Sequence, residues 1–83
     1  MNDQKISERI HKILGWYSRD LDALKHGAPE TRILNDLRVN SARFVDLILA
    51  VEDEFDIEIM DSETNLINTI GDLNIIVKKK LNA

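Results

Sequence analysis

The stretch Asn40-Ser41-Ala42-Arg43-Phe44-Val45-Asp46-Leu47-Ile48-Leu49-Ala50-Val51-Glu52-Asp53-Glu54-Phe55 decides the fold. Phe44, Val45, Leu47, Ile48, Leu49, Val51 and Phe55 recur at the one-, three- and four-residue spacings that a helix brings onto one side. Apolar side chains cover most of the predicted circumference, which is the pattern of the central helix of a small bundle. Arg43, Asp46, Glu52, Asp53 and Glu54 must then line whatever faces water. Asn40-Ser41 offers a capping pair at the start.

Downstream of this helix the pattern changes to period two. Phe55, Ile57 and Ile59 alternate with Asp56 and Glu58, which predicts an extended connector packing its odd-numbered side chains inward. A short helix capped by Asp61 or Ser62 and reaching about Ile67 is expected next. Thr69-Ile70-Gly71-Asp72 has the form of a capping box, and Ile70, Leu73, Ile76, Val77 and Leu81 continue a helical stripe from it. Lys78, Lys79 and Lys80 place positive charge at that helix's C-terminal end, where the macrodipole favours it. Upstream, Ile6, Ile10, Ile13, Leu14 and Tyr17 mark an amphipathic helix capped by Asn2 or Asp3, with Gly15 near its end unless Trp16 and Tyr17 prolong the buried stripe. Between Ser18 and Asn35, Gly27, Pro29 and several turn formers leave room for at most one short helical turn at Leu21–Leu24. Ile33, Leu34 and Leu37 are expected to anchor the far end of this connection to the core. The expectation is an all-α chain: a small antiparallel bundle of three main helices plus one short helix, with residues 1–83 forming one domain.

Composition excludes several functions. The 83 residues contain no cysteine, so disulfides and thiolate metal sites are ruled out. No apolar run approaches the roughly 20 residues needed to span a bilayer, and Met1-Asn2-Asp3-Gln4-Lys5 does not open like a secretory signal. A cytoplasmic monomer that does not insert into membranes is the expectation. The net charge of −4 is uneven. Residues 1–35 carry six basic and five acidic side chains, residues 36–63 carry two and nine, and residues 64–83 carry three and one. The acidic middle repels phosphate backbones, which argues against nucleic acid and suits a basic protein partner; a plain solvated helix face has the same composition.

Catalytic and metal chemistry find little support. His11 and His26 are isolated from other ligands. Asp61, Glu63, Asn65 and Asp72 are spaced loosely like a calcium loop, but Leu66 stands where the sharp turn needs glycine. No glycine-rich phosphate loop occurs. A Ser-His-Asp triad built on Ser41 would have little cleft to enclose it in so small a chain.

Three features recur together in one known family. The Asp36-Leu37 pair precedes Ser41 by four residues, Glu52-Asp53-Glu54-Phe55 closes the central helix, and Thr69-Ile70-Gly71-Asp72-Leu73 opens the last one. In this order and spacing, from about Thr31 to Leu73, the chain resembles the acyl carrier proteins. The resemblance implies that Ser41 carries 4′-phosphopantetheine transferred from coenzyme A by a phosphopantetheinyl transferase. It also implies that the chain holds an acyl or aminoacyl thioester on that arm and catalyses nothing itself. The residues agree. Asn40 beside Ser41 is an equally good cap, so the serine hydroxyl is free, and a phosphodiester there would sit at the positive end of the helix dipole. An added thiol would supply the nucleophile that a chain without cysteine lacks.

The departures from the family pattern bear on partners. Asn40-Ser41-Ala42 replaces Asp-Ser-Leu, Arg43 stands where an acid is common, and Arg38 where glycine is common. By resemblance, Arg38, Asn40, Ala42, Arg43, Val45, Asp46, Leu49, Glu52 and Asp53 face acyl-loading and acyl-transfer enzymes with basic docking patches. Arg38 and Arg43 make the end near Ser41 locally positive, which points to a specialised carrier in a lipid or secondary-metabolite pathway; an Arg43–Asp46 pair is the plainer account of Arg43. Matching positions place Ile33, Leu34, Leu37, Val51, Ile59, Thr64 and Ile67 around an acyl pocket, and ordinary core packing explains the same residues. The alternative to the carrier is an unmodified domain of the same fold that acts only as a protein-interaction module.

Overall fold

In the computed structural model, which describes residues 2–82, every segment with helical periodicity forms a helix. The order is α1 (Asp3–Tyr17), α2 (Leu21–Lys25), α3 (Ser41–Phe55), α4 (Asp61–Thr64) and α5 (Ile70–Leu81). Three long helices thus form the expected bundle, and two short helices rather than one ride on its connections. The Cα radius of gyration is 11.5 Å, close to the about 12 Å of a compact chain this long.

Asn2 caps α1, its Oδ1 accepting from the Lys5 N–H at 2.8 Å. Ile6, Ile10, Ile13 and Leu14 then fall on the buried face. Gly15 does not end the helix, which runs on to Tyr17, and Trp16 turns to solvent with 76% of its surface exposed. α1 lies antiparallel to both other long helices. Arg9 pairs with Glu54 near the end of α3, while Arg43 near the start of α3 stacks over Tyr17. Asp3 pairs with Lys78 late in α5, and Ser7 bonds Asn74 earlier in it.

α3 buries Phe44, Leu47, Ile48, Val51 and Phe55 but leaves Val45 and Leu49 more than half exposed. Its apolar surface is therefore a core stripe plus a separate outward row, not the nearly complete cover read from the sequence. Phe55 closes the helix, so only Ile57 and Ile59 belong to the connector; Ile59 is buried and Ile57 half-buried. The short helix that follows ends at Thr64 rather than Ile67, and neither Asp61 nor Ser62 caps it. Met60 precedes it, and the cap is supplied from inside the helix: Glu63 Oε1 accepts the Met60 N–H at 3.0 Å. The capping box of α5 forms as read, with Thr69 Oγ1 accepting from the Asp72 N–H and Asp72 Oδ2 accepting from the Thr69 and Asn68 N–H groups.

The connection from α2 to α3 is stitched to the start of α5. Ile33 N–H donates to Asn68 O, Ile70 N–H to Thr31 O, and Gly71 N–H to Pro29 O at 2.8 Å. At its other end Leu37 O accepts from the Arg19 N–H and the Ser18 hydroxyl, both at 3.0 Å. Ile33, Leu37 and Val39 are buried along it, whereas Leu34, expected to anchor it, is 43% exposed.

Candidate functional site

Ser41 is the first residue of α3 and is exposed. The cap itself is Asn40, whose extended backbone (φ −76°, ψ 163°) lets Oδ1 accept from the Arg43 N–H at 2.8 Å. The capping duty is thereby taken, and the Ser41 hydroxyl has no hydrogen-bond partner among the described residues. It lies in the first turn of a 15-residue helix, where the unpaired N–H groups and the dipole favour an anion. No acidic residue occupies that first turn. Such a position fits a covalently attached phosphodiester: the hydroxyl is accessible, the local field is positive, and Arg38 and Arg43 stand on either side in sequence.

Arg38 sits at φ 57°, in the left-handed region that favours glycine. It lines a shallow cleft of about 270 Å³ together with Trp16, Tyr17, Arg19, Asn40 and Arg43. The Arg43 guanidinium lies 4.6 Å from the centre of the Tyr17 ring and 3.4 Å from Asp46 Oδ2, so the cation–π contact and the ion pair read from the sequence coexist. Trp16, Tyr17 and Arg19 escaped the sequence reading as site residues because they lie at the far end of α1 and just beyond it, more than twenty residues from Ser41. Only the antiparallel packing of α1 on α3 brings them there.

Ala42, Val45, Asp46, Leu49 and Asp53 are all exposed along α3, and their spacing puts them on the face opposite the buried stripe. Glu52 differs. It is half-buried, and its Oε2 accepts the Ile59 N–H at 2.8 Å, so this carboxylate holds the connector after α3. Of the seven side chains matched to an acyl pocket, Ile33, Leu37, Val51, Ile59 and Ile67 are buried in the common core. Thr64 is half-buried, with its hydroxyl donating to Met60 O, and Leu34 lies at the surface.

Three carboxylates around these connections titrate below their ordinary range. The Arg32 backbone N–H, followed by its guanidinium, lowers Asp36. The Lys80 ammonium at 2.8 Å, then the Met60 N–H, lowers Glu63. The Asn68 and Thr69 N–H groups lower Asp72. Each is a structural pin, and no group of three or more His, Cys, Asp or Glu that could hold a metal ion is found among the described residues. Among the described residues no helix is long and apolar enough to cross a membrane.

An all-helical bundle with a free serine at the start of its central helix is the architecture of a small carrier domain. The acyl carrier protein from Enterococcus faecalis has this fold: it superposes with a TM-score of 0.80 over 96% of this chain and 99% of its own, at 22% sequence identity. No family model matches the sequence. Individual relatives do. The chain is 35% identical over 79 residues to the acyl carrier protein of Picosynechococcus sp., covering 93% of this chain and 94% of that one. It is 39% identical over 80 residues to the acyl carrier protein of Buchnera aphidicola subsp. Acyrthosiphon pisum, covering 94% and 96%. The chain belongs to the acyl carrier protein family.

Proposed function

We propose that Ser41 carries a 4′-phosphopantetheine arm and that the chain, itself no enzyme, presents acyl or aminoacyl groups as thioesters to a dedicated set of cytoplasmic enzymes. The observation that carries this reading is the uncommitted Ser41 hydroxyl at the N-terminus of α3, left free because Asn40 does the capping. Once bound, the arm would supply the thiol that the cysteine-free chain lacks. The chain's own residues do the rest. The first-turn N–H groups and the flanking arginines balance the phosphodiester charge. The outward row Ala42, Val45 and Leu49 offers apolar contact to a docked enzyme, and Asp46 and Asp53 beside it would steer basic patches toward Ser41. Ile33, Leu37, Val51, Ile59 and Ile67 would line an acyl pocket if α3 and the connector after it part.

The departures at Arg38, Asn40, Ala42 and Arg43 favour a specialised lipid or secondary-metabolite pathway over a general one, because they alter the surface every loading enzyme must meet. Incubation with coenzyme A and a phosphopantetheinyl transferase, read by intact mass, tests the site. The expected result is one added arm on the wild type and none on Ser41→Ala. Absence of the adduct with every transferase tried, including one from the source organism, would leave an unmodified interaction module as the better account.

A further inference from the structure

A strip of positive charge runs from the outer face of α1 past its C-terminal end to the start of α3, on a chain whose net charge is −4. Two shallow clefts meet at Trp16. The one beside Ser41 contributes Arg19, Arg38 and Arg43, and the second, about 340 Å³, contributes Arg9 and Lys12. Glu54 is the single carboxylate lining either cleft, and it is already paired with Arg9 at 3.3 Å. Asp46 compensates Arg43 from outside the cleft. Lys12, Arg19 and Arg38 have no ion-pair partner among the described residues.

Two further features mark the strip as built for contact. Trp16 remains largely in solvent at its centre, and exposed Trp flanked by Arg is the composition of interface hot spots. Arg38 keeps its left-handed backbone although only glycine adopts it freely, and strain of that kind is retained where the surroundings use it. A helix rises about 1.5 Å per residue, so Arg9 and Trp16 are separated by about 10 Å along α1 before the arginine cleft begins. The strip therefore has the reach of several residues of a partner, more than one small anion fills. Asp46 and Asp53 on the neighbouring face would repel a polyphosphate backbone.

We infer that this strip is a second docking pole, which receives an acidic segment of a partner protein immediately beside Ser41. Identifying that partner as an acyl-handling enzyme rests on the carrier reading above. Docking is then bipolar: carboxylates of the partner meet Arg19, Arg38 and Lys12, an apolar group covers Trp16, and basic groups meet Asp46 and Asp53. An enzyme with a purely basic docking face is turned away at the arginine end, which makes the strip a device for partner selection.

Trp16 is the only tryptophan and reports on the strip by fluorescence. The probes are a capped Asp-Glu-Phe-Glu-Asp peptide, its Asn-Gln-Phe-Gln-Asn counterpart, and phosphatidylglycerol vesicles, each titrated into the full chain. Saturable quenching or shift by the acidic peptide alone is expected. It should weaken with salt and fall about three- to fivefold in each of Arg19→Gln and Arg38→Gly, as for accessible ion pairs. Arg38→Gly should at the same time raise the melting temperature, a split in sign that a merely structural arginine would not give. A transferase with a basic docking face should also modify the Arg19→Glu/Arg38→Glu double variant faster than the wild type. Equal response to both peptides, or a response to the vesicles alone, would overturn the docking pole. Arm attachment to Ser41 without peptide binding would sink the pole and leave the carrier reading standing; peptide binding with no arm on any variant would do the reverse.

Discussion

The two connections that flank α3 are held in place by different means. The one before it, from Ser18 to Asn40, is joined to the rest of the bundle by the main chain: Leu37 O accepts from Arg19, and Ile33, Thr31 and Pro29 exchange backbone bonds with Asn68, Ile70 and Gly71, while its carboxylates Asp20 and Asp36 act only within the connection, on Ala23 and Arg32. The one after it, from Asp56 to Asn68, joins that ladder only at Asn68; apart from the Ile57 N–H on Glu52 O and its own local turns, side chains tie it to the helices around it. Glu52 reaches Ile59, and Glu63 reaches both Met60 and Lys80. Main-chain pins are insensitive to charge and fix the approach to Ser41. Carboxylate pins respond to pH, salt and neighbouring charges, and they hold the side where Ile59, Thr64 and Ile67 lie. In a carrier that division is useful. If Ser41 bears the arm as proposed, the attachment point would stay put for successive enzymes while the opposite wall of the core yields to a cargo.

If the first connection is the rigid one, breaking it should cost most. Leu37 is fully buried beneath it, and Leu37→Ala should lower stability by about 2–5 kcal/mol, a large share of what a domain this size possesses. Chemical denaturation measures the loss, and hydrogen exchange at Arg19 and Ile33 should accelerate with it. A smaller loss follows at the junction with α5. A Cβ on Gly71 would stand 2.9 Å from Pro29 O, against backbone that the Gly71 N–H itself holds close. Gly71→Ala should cost about 1–3 kcal/mol, as overpacking does, and a melting curve indistinguishable from wild type would refute the close approach.

The second connection should break more cheaply and locally. Glu52→Ala removes the acceptor of the Ile59 N–H and should cost about 1 kcal/mol, with faster exchange at Ile59 and little change at Ile33. Acid offers a graded version. Glu63, Asp36 and Asp72 all titrate lower in the folded chain than in the unfolded one, so the unfolded state binds more protons as pH falls and stability falls with it. The contribution of Glu63 is complete above its ordinary value of 4.5 and starts to fade there, whereas those of Asp36 and Asp72 persist until about 3.8. On acidification the wild type should therefore lose stability from about pH 4.5 downward, and Glu63→Gln should lose less over that range, as read by denaturation midpoints. A Glu63→Gln midpoint that falls as steeply with pH as the wild type would remove Glu63 as a charged pin of the second connection.

How far the sequence disclosed this depends on how local the cause is. The Asn40 cap and the Thr69–Asp72 box are each determined within four residues, and both are where the pattern puts them. The cap of α4 is not, because it comes from Glu63 folding back on Met60 rather than from a polar residue at the cap position. Trp16 looked like core by type, and only the packing of α1 shows that it faces out; Val45 and Leu49 fell in the apolar pattern of α3 and were placed outward by the resemblance alone. Glu52 read as docking charge because its acceptor role toward Ile59 depends on how the connector folds back. The basic strip around Ser41 is assembled from residues 9–19 and 38–43 by helix packing; the linear charge pattern discloses the Arg38 and Arg43 part of it and not Arg9, Lys12 or Arg19.

Arg38 is where the two connections' logic and the site's chemistry conflict, and it carries the smallest stability effect. The main-chain pins on Leu37 and Val39 force the residue between them to φ 57°. A non-glycine residue there gives up about 1–2 kcal/mol relative to a relaxed conformation, and glycine loses about 0.5–1 kcal/mol of that advantage through its freer unfolded chain. Arg38→Gly should therefore stabilise the fold by up to about 1 kcal/mol, seen as a modest rise in denaturation midpoint at unchanged slope. Arg38→Ala keeps the strain while removing the charge, so it should leave stability near wild type. If both variants were equally stabilised, the gain would come from relieving crowded positive charge near Arg19 and Arg43, and the backbone would not be the source of the strain.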